Sequence, residues 1–124
     1  MSPRRTKIRV MVTGASAPIG ELLVRSLIDD SRIGHILAVT GYPGNTFPMA
    51  SSKRLTITQV DLSRSRQVHR LLFEQAKQLK IDVVIHTAMH LSATDEGDRV
   101  HAYNVESLRH LMKLCERHPT IRRL

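Results

Sequence analysis

The stretch V-T-G-A-S-A-P-I-G, residues 12–20, joins an apolar run to a segment with helical periodicity. Residues 7–14 are rich in β-branched side chains and predict a strand, and residues 18–30 predict a helix with Pro18 in its first turn. A strand, a short turn of small residues and a helix together aim backbone N–H groups and the positive end of the helix dipole at an anion. The stretch therefore predicts a phosphate-holding turn. The spacing is not G-x-G-x-x-G, and a tight turn without a ligand is the alternative.

The rest of the chain continues this alternation of strands and helices. Apolar residues on the first predicted helix form one stripe: Ile19, Leu22, Leu23, Leu27 and Ile28. Further strands are predicted over 35–41, 54–61 and 81–89, and further helices over 63–80 and 98–117. The second helix is expected to turn inward Val68, Leu71, Leu72, Ala76 and Leu79. The third helix is expected to turn inward Val105, Leu108, Leu111, Met112 and Cys115.

This order of elements predicts an α/β fold with a doubly wound parallel sheet, Rossmann-like, within one domain spanning residues 1–124. The strand over 81–89 is continuously apolar, which is typical of a strand buried on both faces. About four strands are predicted, and the chain reaches T-I-R-R-L (120–124) where a fifth would begin. We therefore expect the strand at 81–89 to lie near an open sheet edge, which a missing carboxyl-terminal part or a second copy would cover.

Composition narrows the classes of protein. The sequence has no apolar run of the roughly 18 residues that a membrane span needs and no secretion signal, so no membrane partner is expected. Its single cysteine fits a reducing, cytoplasmic compartment. The formal net charge is +8. The nineteen Lys and Arg residues are dispersed, and six of them line the predicted polar faces of two helices: Arg66, Arg70, Lys77, Arg109, Lys113 and Arg117. With four aromatic residues to stack bases, solvated basic faces are favoured over nucleic-acid binding.

Four segments in order resemble the extended short-chain dehydrogenases/reductases, the NAD-dependent epimerase/dehydratase family. Thr13, Gly14, Ile19 and Gly20 match the T-G-x-x-G-x-x-G turn, and N-V-E-S-L-R-H-L-M (104–112) is similar to a family helix. V-D-L (60–62) and D-V-V-I-H-T-A-M (82–89) match two family strand ends. The resemblance implies that the turn Gly14, Ala15, Ser16, Ala17, Pro18, Ile19 and Gly20 binds the cofactor pyrophosphate. It also implies that Asp61 and Leu62 border the adenine ring, and that Thr87, Ala88 and Met89 lie beside a ribose.

Some positions depart from the family pattern. Ala17 replaces the middle glycine, and its methyl group would crowd the pyrophosphate. Thr40, Gly41 and Tyr42 stand where an acidic residue is expected to hold the adenosine ribose, while Lys53 and Arg54 lie further on. The choice between NAD and NADP therefore stays open.

The catalytic Ser and Tyr-x-x-x-Lys of the family come after its fifth strand and are absent from this sequence. Tyr42 and Tyr103 are followed four residues later by Thr46 and Ser107, so no catalytic residue is predicted. Either the sequence is the cofactor-binding half of a longer epimerase-, dehydratase- or reductase-like oxidoreductase, or it is a non-catalytic NAD(P)-sensing or interaction module. The first is favoured, because a lone half would expose the sheet edge.

Other candidate sites are weaker. His86 and His90 would lie about 13 Å apart along a continuing strand, too far to share a metal ion, so no metal is expected. Cys115 falls on an apolar helix face, as a buried small hydrophobic residue would. Asp95, Glu96 and Asp98 precede the third helix, where acidic residues favour the helix amino terminus.

Overall fold

The computed structural model describes four stretches of the chain: residues 7–15, 18–41, 52–87 and 97–123. They contain four strands and three helices. The strands are β1 (Ile8–Thr13), β2 (Ile33–Thr40), β3 (Leu55–Gln59) and β4 (Val83–His86). The helices are α1 (Pro18–Ile28), α2 (Ser65–Arg70, continuing as a π-helical segment over Leu71–Ala76) and α3 (Gly97–Cys115). The predicted order of elements is confirmed, with Pro18 at the start of α1.

The strands form one sheet in the order β3-β2-β1-β4, and every pairing is parallel. The predicted doubly wound, Rossmann-like sheet is confirmed. β1 lies between β2 and β4, and its alternating side chains feed two cores. Val10 and Val12 pack on the side of α1, whereas Met11 packs with α2 and α3 on the other side. Both faces of the central strands are therefore covered, as a parallel sheet requires.

The buried stripe of α1 differs from the predicted one. Gly20 and Val24 are buried, whereas Ile19 is 71% exposed and Leu22 is 66% exposed. The absence of a side chain on Gly20 lets this face of the helix approach the end of β1. Ile19 and Leu22 are consequently turned to solvent, and their prediction as core residues was wrong.

The helices on the other face follow prediction more closely. α2 and its continuation bury Val68, Leu71, Leu72 and Ala76, as predicted. On α3, Leu111 and Cys115 are buried, but Leu108 and Met112 are exposed. The apolar residues of α3 spread over a wider arc than the sheet and α2 can cover, so these two were wrongly predicted as inward.

β4 is shorter and less buried than predicted. Val84 is buried in the core beneath α2 and α3, but Val83 and Ile85 are only partly buried. On the side away from β1, Arg123 forms a parallel bridge with Val83, and the Val84 N–H donates to the Arg123 carbonyl at 2.9 Å. β4 is the edge strand of the sheet, as expected, and this isolated bridge pairs only its first residues.

The π-helical segment is tied to the loop after α3 by a buried histidine. The Leu72 carbonyl accepts a hydrogen bond from the Lys77 N–H, five residues on, and also from Nε2 of His118. The other ring nitrogen, Nδ1, accepts the backbone N–H groups of Thr120 (3.1 Å) and Ile121 (3.2 Å). His118 thus fixes the residues that lead to the bridge beside β4.

Candidate functional site

The carboxyl ends of the parallel strands meet at one edge of the sheet. β1 is followed by α1 and then by β2 on one side, whereas β4 lies on its other side, so the chain changes direction between β1 and β4. Open α/β sheets bind ligands in the crevice at such a switch point. Thr13 and His86, the last residues of β1 and β4, are paired there.

Side chains join these two strand ends. Oγ1 of Thr13 lies 2.8 Å from Nδ1 of His86 and accepts the Thr87 N–H at 3.0 Å. The Thr87 hydroxyl donates to the Thr13 carbonyl at 2.5 Å. The predicted site residue Thr87 is therefore held directly beside the start of the turn. The contact between Thr13 and His86 was not predicted, because it depends on the register of two strands about 70 residues apart.

Burial sets the charge of His86. Desolvation lowers its pKa from 6.5, so the imidazole is neutral at pH 7. A neutral ring suits a hydrogen bond with a threonine hydroxyl. His90, which the sequence analysis judged too distant to share a metal ion with His86, lies outside the described residues. Among the described residues, no group of three or more His, Cys, Asp or Glu is placed to hold a metal ion.

The turn after β1 depends on glycine at both ends. Gly14 has φ of 66°, in the left-handed region that side chains with a β-carbon avoid. A β-carbon on Gly20 would lie 2.0 Å from the Gly14 carbonyl oxygen. The first turn of α1 therefore packs directly against the Gly14 backbone at the end of β1. This close packing brings the amino terminus of α1 directly beside the end of β1, which is the part that the last glycine plays in a dinucleotide-binding turn.

The other predicted residues of the turn have different placements. Ala15 is buried, and its N–H donates to the Val39 carbonyl at 3.0 Å, so that N–H anchors the turn to β2. Pro18 begins the helix, and the N–H groups of Ile19 and Gly20 fall in its first turn, where helical N–H groups have no intrahelical acceptor. Ser16 and Ala17 lie outside the described residues.

At the end of β3, Asp61 and Leu62 face different ways. Oδ1 of Asp61 accepts the Ser63 N–H at 3.0 Å and the Ser63 hydroxyl at 2.6 Å. Oδ2 faces Arg64 at 3.4 Å, a longer contact that leaves this oxygen able to accept a further donor. The Leu62 side chain is buried in the core, so only its backbone can border a ligand.

The end of β2 offers a hydroxyl in place of a carboxylate. Thr40 is buried, and its Oγ1 donates to the Thr58 carbonyl at 3.3 Å. Arg54 precedes β3 and therefore lies at the opposite edge of the sheet. Its guanidinium donates to the carbonyls of Ile28 (2.7 Å) at the end of α1, Asp30 (3.0 Å) in the following turn and Ile33 (2.7 Å) at the start of β2. Arg54 is thus a helix cap and cannot reach a ligand near Thr40.

The remaining candidates fit the interpretations that the sequence favoured. Burial raises the pKa of the Cys115 thiol to about 11, as expected for a buried, unreactive cysteine. The six cations predicted to lie on polar helix faces, three in or just after α2 and three in or just after α3, are exposed. Ala88, Met89, Asp95 and Glu96 lie outside the described residues. Within the described ranges, no helix combines the length and apolar content needed to cross a membrane.

A doubly wound parallel sheet with a glycine turn at its switch point defines a Rossmann-like domain. The sequence profile of the NAD dependent epimerase/dehydratase family matches residues 10–124. The chain belongs to this family.

Several curated relatives are much longer proteins. Equisetin synthetase of Fusarium heterosporum is 32% identical over 117 residues, which cover 90% of this chain and 3% of the synthetase. Fusarin C synthetase of Gibberella moniliformis is 31% identical over 112 residues, with 87% and 3% covered. The chain therefore spans only a few per cent of the length of these relatives.

Solved structures share the fold at low sequence identity. The Bordetella bronchiseptica enzyme WbmH in complex with NAD⁺ has a TM-score of 0.74 and 16% identity, covering 93% of this chain and 37% of that one. A thiolation-reductase di-domain from an archaeal non-ribosomal peptide synthetase has a TM-score of 0.72 and 18% identity, covering 95% and 27%.

Proposed function

We propose that this chain binds NAD or NADP at the carboxyl edge of the sheet, as the cofactor-binding half of an oxidoreductase. The observation that carries the proposal is the pair of glycine positions at the ends of the turn: Gly14 has a left-handed φ, and a β-carbon on Gly20 would lie 2.0 Å from the Gly14 carbonyl oxygen. Family membership and the NAD⁺ complex of the structurally similar WbmH support the same ligand.

Different residues of the site would bind different parts of the cofactor. The first-turn N–H groups of Ile19 and Gly20 would donate to the pyrophosphate, and the dipole of the 11-residue helix α1 favours its negative charge. Oδ2 of Asp61 would accept the adenine amino group. The Thr87 hydroxyl and Thr13, already fixed to each other, would lie beside a ribose. Without a carboxylate at Thr40, neither NAD nor NADP is repelled at the adenosine ribose.

The nicotinamide ring supplies hydride transfer when the cofactor is bound, and the described residues contribute binding and orientation. Of the reactions that the family resemblance implies, we favour reduction. The support is similarity to fungal synthetases and to a thiolation-reductase di-domain. Substrate binding and proton transfer would then come from residues outside this sequence. The proposal also places the protein in the cytoplasm. It further includes a partner for the edge strand β4, either a second copy of the chain or a further carboxyl-terminal part.

Titration with NADH and NADPH tests the cofactor site. The protein has no tryptophan, so the fluorescence of the reduced nicotinamide can be followed without interference from energy transfer. Gly14→Val should abolish binding while circular dichroism shows unchanged helix content, because a β-branched residue at φ 66° displaces the turn. Leu22→Ala, on the exposed face of α1, is the control. Equal affinity of wild type and Gly14→Val would refute the assignment.

A non-catalytic NAD(P)-sensing or interaction module is the second candidate. This candidate would need no Tyr-x-x-x-Lys pair, the catalytic pair that the family resemblance implies for an oxidoreductase. The intact mass of the protein from its native source separates the two candidates. A longer product carrying that pair supports the oxidoreductase, and a mass matching 124 residues supports the module. Cofactor affinity that changes little with salt would count against a third candidate, a nucleic-acid-binding protein.

A further inference from the structure

A second concavity lies at the amino-terminal edge of the sheet, opposite the glycine turn. It has a volume of about 260 Å³. Seven residues line it: Lys7, Arg9, Lys80, Asp82, Pro119, Thr120 and Arg122. Four of these are cations and one is an anion. The four cations come from three separate parts of the chain: the start of β1, the end of α2 and the segment after α3.

Internal contacts position this cavity. Oδ2 of Asp82 accepts the Arg9 N–H at 3.0 Å, and the Asp82 carbonyl accepts the Arg122 N–H at 2.7 Å. Nε of Arg9 donates to the Leu79 carbonyl. These contacts tie the backbones of the lining segments together around Asp82. The cations are therefore held near one another by the fold, although their mutual repulsion opposes that arrangement.

Lys80 adds an independent observation. It has φ of 54°, the one left-handed non-glycine residue of the described chain. The Ile81 N–H donates to the Ala76 carbonyl at 3.0 Å across it, and the Lys80 N–H donates to the Lys77 carbonyl at 3.1 Å. This is the helix-ending position at which glycine is strongly preferred. A lysine there is strained, and its side chain is one of those lining the cavity.

We propose that this basic cavity binds a compact, multiply charged oxyanion of the phosphate type. Arginine and lysine side chains make their strongest hydrogen bonds to phosphate and carboxylate oxygens. An anion bound here would relieve the repulsion among Lys7, Lys80 and Arg122. The cavity is large enough for a phosphoryl or diphosphoryl group and lies across the sheet from the nucleotide turn, so it is a site separate from the proposed cofactor function.

Calorimetric titration at low and physiological salt tests the proposal with three probes: inorganic phosphate, inorganic pyrophosphate and O-phosphoserine. Pyrophosphate should bind more tightly than phosphate, because it carries more charge. A higher affinity for O-phosphoserine than for phosphate would assign the site to a phosphorylated side chain. A higher affinity for phosphate than for O-phosphoserine would assign it to a free anion.

Lys80→Gly is the decisive variant because its two expected effects have opposite signs. It should weaken pyrophosphate binding about fivefold or more by removing a cation. It should also raise Tm by about 2–5 °C, since glycine relieves the backbone strain. Arg122→Gln should weaken binding without raising Tm. Lys77→Ala removes an equal charge from the exposed face of the same helix and should change affinity less than twofold.

Three results would overturn the proposal. The first is absence of millimolar binding of all three probes. The second is equal loss of affinity in Lys80→Gly and Lys77→Ala, which would mean a general effect of net charge. The third is loss of pyrophosphate binding in Gly14→Val, which would place the anion at the nucleotide turn. Retained binding in Gly14→Val supports a separate site, whether or not that variant binds NADH.

Discussion

Replacing Gly20 with alanine tests the geometry on which the cofactor site depends. The new β-carbon would lie 2.0 Å from the Gly14 carbonyl oxygen and 2.7 Å from its carbonyl carbon, against 3.4 Å for ordinary contact. The first turn of α1 and the end of β1 must therefore separate by about 1.4 Å, and both obstacles are backbone atoms that cannot rotate away. Overpacking of this kind costs about 1–3 kcal/mol. For a domain of this size, Tm should fall by roughly 3–12 °C.

The same displacement moves the N–H groups proposed to bind the pyrophosphate. We expect NADH affinity to fall more than tenfold, because a misplacement of about 1 Å is large compared with hydrogen-bond tolerances. Urea unfolding and NADH fluorescence titration measure the two effects. Gly34→Ala is the milder comparison: its β-carbon would lie 3.0 Å from the Lys7 β-carbon, so the neighbouring strand must yield by only a few tenths of an ångström. If Gly20→Ala kept both the stability and the affinity of Gly34→Ala, the close approach would not exist as described.

Further predictions concern stability and reactivity. Arg54→Met should lower the free energy of unfolding by about 1–3 kcal/mol, because three carbonyls between the end of α1 and the start of β2 lose their donor. The control Lys53→Met should change the free energy of unfolding little. His118→Ala should lower the free energy of unfolding, measured with urea, by about 2 kcal/mol or more, because it leaves the Thr120 and Ile121 N–H groups without their acceptor. An unchanged urea midpoint would contradict these contacts. Because the pKa of Cys115 rises from 9.0 to about 11, its thiolate fraction at pH 8 should be about 100-fold lower than that of an exposed cysteine. The rate of alkylation by iodoacetamide measures this difference, and alkylation of the urea-unfolded chain is the reference. Burial lowers the pKa of His86, so the unfolded chain binds more protons below pH 6.5; stability should fall on acidification through that range, and His86→Asn should reduce the slope of this loss.

Much of the fold was predictable because it depends on local patterns. Alternating strand and helix periodicities predicted the element order, and the handedness of βαβ crossovers leaves few arrangements of a parallel sheet. The glycines at both ends of the turn were informative for the same reason: a left-handed φ and a close backbone approach restrict residue type strongly.

Predictions failed where the answer depends on what neighbouring elements cover. Ile19 and Leu22 are apolar, yet the close approach at Gly20 rotates them to solvent. The cap that Arg54 provides at the opposite edge of the sheet was likewise not predicted, because it depends on how β3 lies beside the end of α1. Nothing in the spacing of Thr13 and His86 indicates their contact, which arises from the register of two distant strands.

The π-helical segment Leu71–Ala76 has a consequence for how this region tolerates changes in length. Hydrogen bonds that skip five residues accommodate one residue more than an α-helix of the same span would. Deleting a single residue there should let the backbone close into an ordinary α-helix, and because the wide turn absorbs the extra residue, the later side chains should keep their present directions. Leu79 would then stay packed against the core, whereas the Leu72 carbonyl would lose the bond from the Lys77 N–H that it accepts alongside His118. Alignments of this chain with relatives that lack the segment should therefore require a one-residue gap within it.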